Sequence, residues 1–430
     1  MNPKEYTEHE SFCLADNAEL KRRFLRIIRE CQNSKSLKDV KLMGMDYDFK
    51  KDEFFMSYYI GVDWVDAEKQ QAMVVLPKIK SVDFQTMLMK CFTCDKASEN
   101  LDQVFFIRTE DKPIEIDSSS FQMEPLLIVY FINLINRIAK NGLKSGYTVR
   151  EECLNSKIKG KVMMTRYMKH GIALDRREMV DCRYHEYNID CVENRIIKNA
   201  LLYCKQMIFR VQKSLGRHLE QLLNMYSSVI SAFENVTAYV SPQELQHIHL
   251  NPVFKDYKEA ISLARMIIKK RGYCVEYEKK GNKYKFPPFI IDMPVLFERY
   301  VYALLNEAYG KSVQYQKGTK ADRPDFLKPD EQLIIDTKYI IDWKCRINSD
   351  NVRQLSGYAR SKGIRRRLQV SDDSTICPCM IVYPDSDGIA TFCPVSAIDS
   401  KNDIQLIDGY IQFFKVGVSL PIVYSDFPKL

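Results

Sequence analysis

The hydrophobic positions change their period along the chain. Near the start, "FFMSYYIGVDWV" (54–65) and "QAMVVLPKI" (71–79) are rich in aromatic and β-branched residues and end at turn or proline signals, which predicts strands. "FLRIIREC" (24–31) and "FQTMLMKCF" (84–92) repeat at helical spacing instead. Together they predict a small α+β module. The polar stretch "TEDKPIEIDSSS" (109–120), with its proline and serine run, closes it, giving a first domain over 1–118.

From 119 to 285 the pattern is mainly helical. "MEPLLIVYFINLINRIAKNGL" has Pro125 near its start and Gly142 past its end. "ENRIIKNALLYCKQMIFRVQKSL" and "RHLEQLLNMYSSVISAFENV" are two further amphipathic helices. Between the first of these three helices and the second, "NSKIKGKVMMTRYMKHG" and "REMVDCRYHEYNID" read as basic, strand-like stretches. "KKRGYCVEYEKKGNKYK" (269–285) interleaves tyrosines with basic residues, a pattern that suits a phosphate backbone or a solvated hairpin. The last domain, 286–430, alternates helix and strand. The expected architecture is therefore multidomain α+β.

Composition sets the scale. The chain has 430 residues, 46% hydrophobic, enough for two or three domains with a large core. Its net charge of +8, from 64 basic and 56 acidic residues, is compatible with a polyanionic partner without demanding one. The N-terminus lacks a signal-peptide pattern, and "LLIVYFI" (126–132) is too short to span a bilayer. The 13 cysteines are scattered and odd in number, as expected of reduced thiols in a cytoplasmic protein that needs no membrane.

One stretch carries chemistry. In "RPDFLKPDEQLIIDTKY" (323–339), two strand-like runs flank the turn "KPDE". Side chains alternate along a strand, so Ile334, Asp336 and Lys338 share a face. A two-residue loop at 329 and 330 sets Asp325 opposite Ile334, and a four-residue loop sets it opposite Asp336. Either even count gathers Asp325, Asp336 and Lys338 within about 5–8 Å, whereas an odd count separates them. Adjacent carboxylates repel unless protonated or bridged by a cation. A hard ion such as Mg²⁺ takes oxygen ligands, polarises phosphate and acidifies bound water, and a lysine beside it offsets developing negative charge.

The flanks agree. "DMPVLFERYVYALLNEAYG" predicts a helix opened by Asp292 and Pro294, with Glu298 beside its apolar stripe as a third carboxylate. "DNVRQLSGYAR" predicts a helix capped by Asp350, with Gln354 and Tyr358 four apart on one face.

The order Glu298, "RPD", "IIDTK", "QLSGY" resembles the PD-(D/E)xK nuclease fold in its RecB-like form. "VVLPKI", "NGLKSGYTVREECLNSKIKGKV", "CRYHEYNIDCVENRIIKNAL" and "MPVLFERYV" are similar to the McrC family, the nuclease subunit of the McrBC 5-methylcytosine-specific restriction system. The resemblance implies a C-terminal α/β nuclease domain with a mixed central sheet. It implies metal binding by Asp325 and Asp336 with Glu298 as helper, Lys338 as the catalytic lysine, and Gln354 and Tyr358 in support. It further implies double-stranded DNA as substrate, phage defence as the setting, and docking of the first domain on a McrB-like AAA+ GTPase hexamer whose GTP hydrolysis it stimulates. The chain has no G-x-x-x-x-G-K-[ST] loop, which agrees with GTP being bound by the partner. A stand-alone RecB-like repair nuclease and a non-catalytic regulator of an AAA+ ring are the rival readings.

Other candidates read as structural. "CFTC" (91–94) lies in an amphipathic helix, and "CPC" (377–379) with Cys345 and Cys393 lacks iron–sulfur spacing. His247 and His249 have no adjacent acidic or cysteine partner. "GIRRRL" (363–368) reads as a solvated basic face close enough to the proposed site to touch phosphate.

Overall fold

The computed structural model describes residues 4–14, 18–31, 37–79, 82–92, 94, 103–109, 111–117, 123–210, 219–241, 243, 255–277, 283–318, 322–340, 349–389, 392 and 404–422. The chain forms two compact units, one of Met1–Gln122 with Asn282–Leu430 and one of Met123–Gly281. Both mix helices with sheets, in keeping with the expected α+β class.

The first unit holds two main sheets. One has the spatial order Lys4–Thr7, Gln71–Leu76, Tyr59–Asp66, Phe289–Asp292, Phe105–Ile107. Phe289–Asp292 falls within the stretch expected to begin an independent C-terminal domain at 286. It lies instead between two N-terminal strands and pairs antiparallel with both. Burial accompanies this placement: Phe289, Ile290 and Ile291 are all enclosed, as an apolar run is in a strand covered on both faces. Gly61 makes this approach possible. At its φ of +137°, an added Cβ would sit 2.2 Å from the Phe289 carbonyl oxygen.

The other sheet is six-stranded and mixed, with the order Gln314–Tyr315, Phe326–Lys328, Leu333–Thr337, Cys379–Ile389, Phe413–Val418, Ile404–Leu406. Leu333–Thr337 runs antiparallel to Phe326–Lys328 and parallel to Cys379–Ile389. On one face Leu327, Ile334 and Ile381 pack with Val352, Leu355, Ile364 and Leu368. Strand alternation sends Phe326 to the opposite face, where its ring stacks on Tyr302 and Tyr315 at 5.7 and 5.8 Å.

The second unit contains the helices Met123–Asn141, Val192–Arg210, Leu219–Ala232 and Lys255–Tyr277 and a three-stranded antiparallel sheet. The sheet begins earlier than the sequence pattern suggests. Gly146–Asn155 pairs residue for residue with Met179–Asn188, while of 155–171 only Asn155 and Lys161–Val162 join it. Ser156 and Gly160, both at positive φ, turn the chain, and Met164–Ile172 is helical. The alternating lysines of "KIKGKV" imitate a strand period across this turn. Among the described residues, no helix is long and apolar enough to cross a membrane.

Candidate active site

The turn between the two strands decides the geometry. Lys328 pairs with Leu333, Leu327 with Ile334 and Phe326 with Ile335, which leaves a four-residue loop. Pro329–Glu331 forms a 3-10 turn closed by Gln332 at φ +55°. Continuing the register puts Asp325 and Asp336 next in line, on the face of the sheet that carries Leu327 and Ile334.

Asp336 is buried at 3% exposure, and its Oδ2 lies 2.6 Å from the Lys338 ammonium. Lys338 Nζ also donates to Gln354 Oε1 at 3.1 Å, and Gln354 Nε2 donates to the Tyr358 hydroxyl at 2.8 Å. The four side chains make one continuous chain from the sheet to the helix Ser349–Arg360. That helix starts one residue before Asp350, so Asp350 lies in its first turn rather than at its cap and pairs with Arg353 at 3.3 Å.

Asp325 is held differently. Its Oδ2 accepts from both the amide and the hydroxyl of Thr337, at 2.7 and 2.6 Å. Its carbonyl accepts from the Gln316 amide at 2.7 Å, and the Gln316 side chain donates to Glu298 Oε1, also at 2.7 Å. Gln316 thus ties the Asp325 backbone to the Glu298 carboxylate, and it does so at φ +45°, a backbone conformation that costs a non-glycine residue about 1 kcal/mol. Glu298 comes from the helix Met293–Tyr309, whose N-cap Asp292 accepts from the Val295 amide at 3.0 Å.

The electrostatics are those of crowded negative charge. Burial, then Asp336 and Glu298, push Asp325 well above the usual carboxylate range. Burial also raises Asp336, against the pull of Lys338. Glu298 is raised by burial despite its Gln316 and Tyr315 hydrogen bonds, with Asp336 adding to the rise. Asp292, raised mainly by burial and further by Glu298, reaches about 6. A cluster of this kind is stabilised by a cation.

The donor set suits a hard cation, being all carboxylate oxygen. Among the described residues, no three His, Cys, Asp or Glu side chains form a ready cage, and Lys338 stands on the Asp336 oxygen.

Thr337, Gln316 and Tyr315 were not anticipated from sequence. Cys91, Cys94, Cys377 and Cys379 are buried. In "GIRRRL", Arg365 is not on a solvated face: its guanidinium is buried and donates to the carbonyls of Thr375 (2.9 Å), Asp372 (2.5 Å) and Ala359 (3.3 Å). His247, His249, Cys345, Cys393 and the side chains of 269–285 lie outside the described residues.

A family model described as McrBC 5-methylcytosine restriction system component matches residues 56–365. Among solved structures, the chain is similar to one in a refined half-complex from a tetradecameric assembly of Thermococcus gammatolerans McrB AAA+ hexamers with bound McrC. The identity is 16% and the TM-score 0.40, over 97% of this chain and 94% of that one. It is also similar to a chain in the cryo-EM structure of the Thermococcus gammatolerans McrBC complex, at 15% identity and TM-score 0.29, over 71% of this chain and 87% of that one. No curated protein matches.

Proposed function

The chain belongs to the McrBC 5-methylcytosine restriction system component family, and from that premise we propose that it is the DNA-cleaving subunit of such a system. In this reading it hydrolyses phosphodiester bonds of double-stranded DNA with Mg²⁺, through a C-terminal domain of PD-(D/E)xK type. The observation that carries the reading is the unbroken contact from Asp336 through Lys338 and Gln354 to Tyr358, with Asp325 next to Asp336 in the ladder.

Asp325 and Asp336 would hold the metal ion, with Glu298 beside them, and the ion would supply polarisation of the phosphate and acidification of the attacking water. Lys338 then leaves the Asp336 oxygen for the substrate, where its ammonium donates to the phosphate oxygen that gains charge. Gln354 keeps that ammonium within reach, and Tyr358 fixes the Gln354 amide so that its oxygen faces Lys338. Thr337 and Gln316 hold Asp325 and Glu298 before substrate arrives, so less ordering remains for the reaction itself.

The partner is an AAA+ GTPase hexamer of the McrB kind, as in the solved assemblies of McrB hexamers with bound McrC, and this chain stimulates its GTP hydrolysis. Besides the first domain, 1–118, we propose a docking surface on the unit Met123–Gly281. There, Ile158, Met164, Met168, Ile172 and Leu174 are all exposed among lysines and arginines.

The test is DNA cleavage by wild type and Asp336→Ala, with and without partner and Mg²⁺. The expected variant still stimulates GTP hydrolysis but does not cut. Cleavage that survives the substitution overturns the assigned site, and cleavage by wild type with no partner favours a stand-alone repair nuclease.

A further inference from the structure

Against Tyr339, the residue after Lys338, lies a further buried carboxyl, supplied by the other end of the sequence. Glu8 follows the strand Lys4–Thr7, with its amide bonded to the Leu76 carbonyl at 3.0 Å. The residue is 3% exposed, and neither carboxyl oxygen has a partner that meets strict hydrogen-bond geometry. It faces the Tyr339 hydroxyl, which is itself buried without such a partner. The other titratable groups around it are Lys78, whose charge and backbone amide both act on it, Tyr58, and His9, whose ring is 3.9 Å from that of Tyr58.

Tyr339 is the residue after Lys338, at the point where the chain leaves the sheet. Lys338 donates its amide to Val382 at 2.8 Å, and the Ile340 amide turns back to the Lys338 carbonyl at 2.8 Å. Beyond that turn the anchor is the Tyr339 side chain. Its ring packs 5.9 Å from Phe297, the neighbour of Glu298, and 6.2 Å from Tyr58. A carboxyl buried at this depth is costly unless its place in the fold demands it.

We propose that Glu8 is a positioning residue of the candidate centre, holding the Tyr339 hydroxyl and through it fixing Lys338 beside Asp336. The proposal rests on the nuclease reading for its consequence in catalysis, but not for the contact itself. Burial, outweighing Lys78 and Tyr339, raises Glu8 to about 8, so the carboxyl is neutral at pH 7 and pairs with the phenol without a buried charge. Above pH 8 it ionises, and the pair is disrupted.

The experiment compares the full chain with Glu8→Gln, Glu8→Ala and Tyr339→Phe, using two readouts. The first is the Lys338 signal in the ¹³C NMR spectrum of reductively methylated protein, assigned with Lys338→Arg and measured without partner or DNA. The second is DNA cleavage with the partner and Mg²⁺ from pH 6.5 to 9.5. Glu8→Ala and Tyr339→Phe are expected to shift the Lys338 signal and to lower kcat roughly tenfold or more at unchanged KM. Glu8→Gln, a neutral isostere, should keep the wild-type signal and kcat and remove the fall in rate above pH 8. A Lys338 signal that stays at its wild-type position in Glu8→Ala overturns the proposal, as does a Glu8→Gln variant as impaired as Glu8→Ala. If wild type cuts no DNA, the nuclease reading fails while the Lys338 signal still decides whether Glu8 positions it.

Discussion

Thr337→Val isolates the way in which Asp325 is held. Valine keeps the branched shape and the amide and removes one hydroxyl, so the 2.7 Å bond from the amide remains and the 2.6 Å bond from Oγ1 is lost. In the metal-free protein Asp325 is held well above the usual carboxylate range by burial and by Asp336 and Glu298. Without metal the lost bond is one to a carboxyl whose charged form burial disfavours, and its removal costs about 1 kcal/mol. With a cation bound, the carboxylate is ionised and the same bond is charge-assisted, contributing about 1.5–3 kcal/mol. The difference of about 1 kcal/mol corresponds to roughly fivefold weaker Mg²⁺ binding. Urea denaturation without metal measures the first effect, and isothermal titration with Mg²⁺ measures the second. Equal stability and equal Mg²⁺ affinity in the two proteins would refute the reasoning, because Asp325 would then need nothing from Thr337.

Three further substitutions probe other features. Asp292→Asn keeps the helix cap but removes a carboxyl raised from 3.8 to about 6. Wild type loses stability as pH rises through that window, so the variant should gain up to roughly 3 kcal/mol at pH 8 and nothing at pH 3 in urea denaturation. Arg365→Lys breaks the guanidinium fork onto Thr375, Asp372 and Ala359, at a cost of roughly 2–4 kcal/mol, whereas the more exposed Arg366→Lys should stay within about 0.5 kcal/mol. Replacing the exposed Met164, Met168 and Leu174 together by serine should leave the unfolding midpoint nearly unchanged and abolish stimulation of the partner's GTP hydrolysis, read as phosphate release. Full stimulation would move the docking surface elsewhere.

Much of the fold was legible because the local signals were strong. The helix Met293–Tyr309 has its cap Asp292, its Pro294 and its stop at Gly310 all written in sequence. The strand Leu333–Thr337 declared itself by "LIID", and alternation placed Asp336 and Lys338 together. What stayed hidden depended on backbone states that residue type does not announce. Gln332 and Gln316 adopt positive φ where glycine or asparagine would have been the signal, so neither the loop count nor the Gln316 bridge could be read. Thr337 lies between Asp336 and Lys338, and alternation sends it to the other face; Asp325, which it bonds, stands just before the first residue of its strand. Arg365 sits in a basic run whose composition says surface, and only the fold brings three carbonyls around it. The place of Phe289–Asp292 was equally unreadable, because its partners lie more than 180 residues upstream in one direction.

That strand has a consequence for how the chain can be divided. Its last residue, Asp292, is also the cap of the helix that carries Glu298, so sheet and helix meet with no spacer between them. A fragment beginning at 286 would present this strand with both edges bare, and a fragment ending at 118 would leave two edges facing a missing strand. Each half would carry an adhesive template for other chains. The unit is therefore indivisible in practice: whatever displaces its N-terminal sheet also displaces the helix of Glu298, and neither stretch can be cut away without baring strand edges in the other.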